Sequence, residues 1–138
     1  MAIDIRKMDS SDERVGKFVG ELFEAYADKK DVICDYVDYC FVARDGDRIV
    51  GVVTGHAYYR EVHIGDLIVA EDCRGQDIGT KLIRRVEEEF KDRDIDNFNL
   101  TTYGFQAPEF YKKLGYEVEY IRESTDPKLT KYFYIKRV

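Results

Sequence analysis

Residues 69–81, VAEDCRGQDIGTK, constrain this chain more than any other stretch. The apolar run Leu67-Ile68-Val69 leads in as a strand, and Ile78, Leu82, Ile83, Val86 and Phe90 then recur at helical spacing. Arg74, Gly75 and Gly79 sit between them in a tight loop. Glycine lets backbone approach closely, successive amides point into a concavity, and the first N–H groups of a helix face an anion. Arg74 adds a planar, permanently charged fork suited to phosphate oxygens. The physics suits any diphosphate. No Gly-Lys-Ser/Thr closes the loop, because Thr80 and Lys81 follow Gly79, so it is not a Walker loop. It also lacks the opening Gly-x-Gly of a dinucleotide fingerprint.

The rest of the composition narrows the class. A chain of 138 residues reads as one domain, residues 1–138, large enough to bury most of its unfolded surface. With 44% hydrophobic and 36% charged residues it reads as soluble and globular. The net charge of −6 argues against nucleic-acid binding, which needs a basic surface. No apolar run is long enough to span a membrane and no signal peptide opens the chain, so a cytoplasmic protein with no membrane partner is expected. Cys34, Cys40 and Cys73 are odd in number and match no metal spacing, which predicts reduced thiols and no metal.

Taken in order, AIDIRKM alternates as a first strand, and Ser10 with Glu13 forms a capping box for a helix carrying Val15, Phe18, Val19, Leu22, Phe23 and Tyr26. The segment DKKDVICDY is a loop or a short second helix. YCFVAR and RIVGVVTGHAYY form a hairpin turned at Asp45-Gly46, and Gly51 and Gly55 mark a bulge or a close backbone approach. EVHIGDLIVA is the next strand. Simple alternation puts Val62, Ile64, Asp66 and Ile68 on one face and His63, Gly65, Leu67 and Val69 on the other. After the loop and its helix, NFNLTTY is a strand, Pro108 opens a short helix that Gly115 stops, and YEVEYI and KYFYIKRV are the last strands, turned near Asp126-Pro127. The order βαββ–β-loop-α–βα–ββ implies an α+β protein with a mixed sheet and helices on both faces.

Two stretches carry a family resemblance. Arg74-x-x-Asp77-x-Gly79 is similar to the Arg/Gln-x-x-Gly-x-Gly/Ala loop of the GCN5-related N-acetyltransferases (GNAT), and QAPEFYKKLGY resembles their Ala-x-x-Phe-Tyr-x-Lys-x-Gly-Phe helix through Ala107, Phe110, Tyr111, Lys113, Gly115 and Tyr116. HIGDLIV also resembles the corresponding strand of glucosamine-phosphate N-acetyltransferases at His63 and Asp66. The match runs from about 41 to 138. Asp77 and Gly104 depart from it, standing where many members have Gly and Asn. The resemblance implies the GNAT (acyl-CoA N-acyltransferase) fold, a single mixed β-sheet flanked by helices, with acetyl-CoA as cosubstrate. It further implies cofactor contacts at Ile68, Val69, Arg74, Gly75, Gln76, Asp77, Ile78, Gly79, Thr80, Gly104 and Ala107.

What the resemblance implies chemically is direct attack of an amine on the thioester. An alkyl ammonium is neutral only about once in two thousand molecules at pH 7, so a base is useful. His63 is the first candidate and Asp66 the second; His56 is read as structural. A bulge in the strand, common in the family, would change which face each presents and free an N–H near Ile68 or Val69 for the thioester oxygen. Tyr111 is the candidate acid for the leaving thiolate. Tyr36 and Tyr39 are candidate acceptor contacts, and the acceptor itself stays open: an aminoglycoside-like antibiotic, a polyamine, an amino acid, or a lysine or N-terminus of a peptide. KYFYIKRV would suit a strand-edge homodimer. The alternative is an acyl-CoA-binding sensor of the same fold that does not turn over, favoured by Asp77 and Gly104.

Overall fold

The computed structural model describes residues 1–138, which divide into two compact units, Met1–Cys34 and Asp35–Val138. The first unit consists of helix α1, Glu13–Lys29, and its flanks. Its N-cap is Asp12, whose carboxylate accepts from the Arg14 amide at 2.9 Å. The expected capping box at Ser10 is therefore displaced. Asp9 takes the Ser11 amide at 2.9 Å and hydroxyl at 2.7 Å, so the preceding residues form a side-chain-bonded turn and the helix begins after it. Residues 1–9 form no strand, contrary to their alternating pattern. Alternation makes a segment fit for a strand, but a ladder partner is needed to make one. DKKDVICDY contains no second helix; Asp31 and Asp35 adopt positive φ there. Only Ala27 of α1 is buried, so the unit has no core of its own.

The second unit is built on one six-stranded sheet of order β1-β2-β3-β4-β6-β5. Its strands are β1 (Val37–Asp45), β2 (Arg48–Tyr58), β3 (Glu61–Val69), β4 (Asn97–Tyr103), β5 (Glu117–Arg122) and β6 (Lys131–Arg137). All neighbours pair antiparallel except β3 and β4, which run parallel. Parallel neighbours need a crossover, and helix α2 (Ile78–Glu89) supplies it. The second helix of the unit is the short α3, Pro108–Lys112.

The core lies between α2 and the sheet. Leu82, Ile83 and Val86 meet Val53, Ala57, Val62, Ile64, Phe98 and Leu100, and Leu114, Tyr116 and Tyr134 close it beyond α3. Each such side chain contributes about 1.5–3 kcal/mol on leaving water. A Cβ on Gly51 would lie 3.0 Å from Ile78 Cγ2 and 3.1 Å from Leu82 Cδ1, so this glycine sets how closely α2 approaches β2. That is the close approach its place in the strand implied.

A polar network pins the same helix from behind. Glu87 accepts from Tyr116 at 2.9 Å, from Lys136 at 3.0 Å and from Arg84 at 2.7 Å, tying α2 to β6 and the end of α3. Burial alone would raise the Glu87 carboxyl, but these donors outweigh it and hold it below the usual carboxylate range.

Candidate active site

The site grows from an irregularity in β3. Val53 pairs with Leu67 and Gly55 with Ile64, so Gly65 and Asp66 together oppose the single residue Thr54. Two residues against one is a β-bulge. The Thr54 hydroxyl fills the gap, accepting from the Asp66 amide at 3.3 Å and lying 3.4 Å from its carboxylate. The Tyr39 hydroxyl donates to the His63 carbonyl at 2.9 Å, and Gly55 leaves room for that ring, since a Cβ there would collide with both groups. Burial pushes the Tyr39 phenol up, so it stays a donor, and its ring braces the bulge from the core side.

The bulge resets the faces of β3. Before it, Val62 and Ile64 are buried; after it, Leu67 packs on the core and Ile68 is 64% exposed. Simple alternation therefore fails beyond Ile64: Leu67, not Ile68, shares the face of Val62. The backbone turns with it. Ala70 donates to the Val50 carbonyl at 2.8 Å, so alternation along the ladder directs the groups of Ile68 toward β2 and those of Leu67 and Val69 to the opposite edge. The Val69 carbonyl on that edge accepts from Arg74 Nε at 3.2 Å. Of the two expected oxyanion donors, Val69 N–H faces the opening and Ile68 N–H does not.

That opening is real. β3 pairs with β4 only from Glu61–Asn97 to Ile64–Leu100, although both strands continue for several residues. Past the bulge the two strands part, and the loop to α2 begins at the end of the splayed segment. There a 3-10 turn, Glu71–Cys73, is clamped to the β1–β2 hairpin by the bidentate pair of Arg48 and Asp72, at 2.8 and 2.9 Å. Gly75 follows at φ +81° and Asp77 at φ +61°, both left-handed. Asp77 caps α2 through its carbonyl, which accepts from Lys81, and its side chain makes no capping bond. The amides of Gly75, Gln76, Asp77, Ile78, Gly79 and Thr80 have no backbone partner. Asp tolerates the left-handed region, so the loop forms without its usual glycine. Gly79 lies against α3: a Cβ there would be 3.3 Å from Phe110 Cζ.

His63 lies on the face away from α2. Its Nδ1 is 2.8 Å from Asn99 Oδ1, and the Asn99 amide nitrogen donates to Asn97 Oδ1 at 2.9 Å. An amide oxygen only accepts, so in this arrangement Nδ1 is the donor, and it is Nε2 that is left for a substrate. Asn99 is a site residue that the sequence reading missed; its signal is the run of Asn97, Asn99 and Thr101 on the polar face of NFNLTTY. His63 lines an open cleft of about 610 Å³ with Asp38, Tyr39, Cys40, Thr54, Gly55, His56 and Gly65. Asp66, exposed at the bulge, adjoins it. Burial and then the neighbouring His63 hold His56 below the ordinary imidazole value, partly opposed by Glu61.

Tyr111 belongs to the core layer, its ring centre 5.8 Å from that of Tyr134 and 5.0 Å from that of Phe110. Burial pushes its phenol up to about 12. His63 and Tyr111 thus approach the splay from opposite faces of the sheet. Ala107 caps α3 exposed, and Gln106 before it accepts from the Tyr103 amide at 2.9 Å and the Thr102 hydroxyl at 3.0 Å. Gly104 is glycine for a local reason. A Cβ there would sit 2.5 Å from the Pro127 carbonyl, because residues 127–130 run against it and accept the amides of Gly104 and Phe105.

The model of the acetyltransferase (GNAT) domain family matches residues 37–118. A blasticidin-S acetyltransferase of Streptomyces morookaense is 28% identical over 96 residues, 67% of this chain and 71% of that protein. An acetyltransferase crystal structure from Bacillus cereus superposes with a TM-score of 0.79 at 26% identity, over 96% of this chain and 98% of that one. A GNAT acetyltransferase from Elizabethkingia anophelis, solved with acetyl-CoA bound, shares the fold at a TM-score of 0.63 and 16% identity, over 86% of this chain and 82% of that one. With the family's domain matched over more than half its length and the fold shared, this chain belongs to the GCN5-related N-acetyltransferases.

Proposed function

We propose that the protein transfers an acetyl group from acetyl-CoA to a primary amine by direct attack. The observation that carries this reading is the parting of β3 and β4 beside a loop whose amides, Gly75 to Thr80, lack backbone partners. Those amides, the α2 N-terminus and the Arg74 guanidinium suit a diphosphate. The family and the acetyl-CoA-bound relative support acetyl-CoA as its owner.

In this reading His63 Nε2 takes a proton from the ammonium, and the freed amine nitrogen attacks the thioester carbonyl carbon. Val69 N–H faces the oxygen as negative charge gathers on it, a contact worth about 3 kcal/mol in related chemistry. The C–S bond then breaks and sulfur leaves as thiolate. Tyr111 at about 12 is a weaker acid than an ordinary thiol, at about 8.5, so full transfer of its proton would be uphill. Its role is a hydrogen bond to the departing sulfur, which collects its proton from solvent. Asp66 adjoins the cleft as an alternative base.

The test is acetyl-CoA consumption across a panel of primary amines, by wild type and His63→Ala. We expect turnover with at least one amine, falling by about 10²-fold or more in the variant. A protein that binds acetyl-CoA yet releases no free thiol with any amine would favour the second reading, a binding protein without turnover. Two observations favour that reading: the Asp77 carboxylate in the loop, and the Pro127 carbonyl where family members place a cofactor-contacting side chain.

A further inference from the structure

We propose that Asn97 and Asn99 act together as positioning residues for His63: the direction of their hydrogen bonds decides which ring nitrogen carries the proton, and so leaves Nε2 bare toward the cleft. This rests on the transferase reading and deepens it at the base.

His63 stands in a row that crosses four strands. Asp38 of β1 lies opposite His56 of β2, His56 opposite His63 of β3, and His63 opposite Asn99 of β4. Directly opposed residues project to the same face of a sheet. The His63 ring is therefore held between His56, 5.1 Å away centre to centre, and Asn99. Its backbone is tied as well, since the His63 carbonyl accepts from the Tyr39 hydroxyl at 2.9 Å. Ring and backbone are thus fixed beside Ile64–Leu100, the last pair before β3 and β4 part.

A neutral imidazole has one N–H, and the partner of one nitrogen decides the state of the other. Asn99 alone does not decide it. An amide carries a donor and an acceptor of nearly the same shape, so a half-turn would present its NH2 to Nδ1 and select the opposite tautomer. Asn97 removes that choice. It lies two residues back on the same face of β4, and its Oδ1 accepts from Asn99 Nδ2 at 2.9 Å. With Nδ2 so committed, Asn99 Oδ1 turns to His63 Nδ1 at 2.8 Å. Both asparagines and His63 are half-buried, where such bonds are stronger than in open water. An Nε2 that already carried the proton would take none from an ammonium; held bare in the lining of the cleft, it does.

The chain has two histidines, so proton–nitrogen correlation NMR of the rings, with His56→Gln for assignment, reads the His63 tautomer directly. Spectra are taken above the ordinary imidazole pKa of about 6.5. We expect the Nδ1–H form in wild type. Asn99→Leu, which removes the acceptor, should move the proton to Nε2 and lower kcat by about 10²-fold with acetyl-CoA affinity unchanged. Asn99→Asp keeps an acceptor there, and should keep the tautomer and hold kcat within about tenfold of wild type. Asn97→Leu frees the Asn99 amide and should give a mixture of tautomers, whereas Asn97→Asp, still an acceptor, should not. An Nε2–H ring in wild type, or a pure Nδ1–H ring in Asn99→Leu or Asn97→Leu, would overturn the proposal. If the tautomers follow this pattern while wild type acetylates no amine, the positioning stands and the transferase reading fails. If wild type acetylates an amine and Asn99→Leu keeps its kcat with the proton moved, the transferase reading stands and the proposal fails.

Discussion

In the proposed reaction Tyr111 is the single position that would steady the leaving group, and Gly104 is a single-position departure from the family pattern. A neutral phenol at about 12, packed against Tyr134 and Phe110, can steady a thiolate by one charge-assisted hydrogen bond. Such a bond is worth about 1.5–3 kcal/mol, so Tyr111→Phe should lower kcat by about 10- to 100-fold. Its affinity for acetyl-CoA and its Tm should hold. An unchanged kcat would remove Tyr111 from the reaction. At Gly104 the space for a side chain is taken by the Pro127 carbonyl. Restoring the family residue with Gly104→Asn should therefore destabilise the fold by about 1–3 kcal/mol, as overpacking does, and leave acetyl-CoA affinity no tighter. Thermal melting and titration check the two halves of that expectation.

At the scale of elements, what was legible in the sequence was what local backbone chemistry dictates. The strand–loop–α2 junction, the hairpin at Asp45-Gly46, β4 and the short helix α3 all lie where their turn and capping residues put them. What was not legible depends on partners far away in the chain. The family resemblance raised a bulge in this strand, but its place shows only when Thr54 is found opposite both Gly65 and Asp66, and until then alternation misplaces Asp66 and Ile68. The Asn99 partner of His63 follows from the parallel register of β3 on β4. The alternating residues 1–9 read as a strand because nothing local says that a partner is wanting. Long-range bonds also set the pH response of α2. Glu87, held below its ordinary value, stabilises the fold above its unfolded pKa, and this contribution disappears as pH falls through the folded one. Glu87→Gln should thus cost about 1–3 kcal/mol near neutrality, and the penalty should shrink as pH falls below the ordinary carboxylate value and vanish only below the depressed folded one, where wild type too is protonated. Denaturant titrations at two pH values would show it. An equal penalty at both would mean that the Lys136–Glu87–Tyr116 network acts through packing rather than charge.

For the molecule as a whole, the sheet of Asp35–Val138 brings together pieces the chain holds far apart. The bulge and the early end of β3–β4 pairing open the sheet; the Gly75–Thr80 amides lie at the head of that opening, with His63 on one face and Tyr111 on the other. No helix is long and apolar enough to cross a membrane. The family membership predicts a thioester substrate, and the loop must hold its diphosphate although Asp77 replaces the usual glycine. Calorimetric titration with acetyl-CoA, with ATP as the control diphosphate, tests that claim most directly. Saturable binding of one acetyl-CoA per chain is expected, with ATP unable to displace it. Absence of binding, or displacement by ATP at comparable concentration, would contradict the claim.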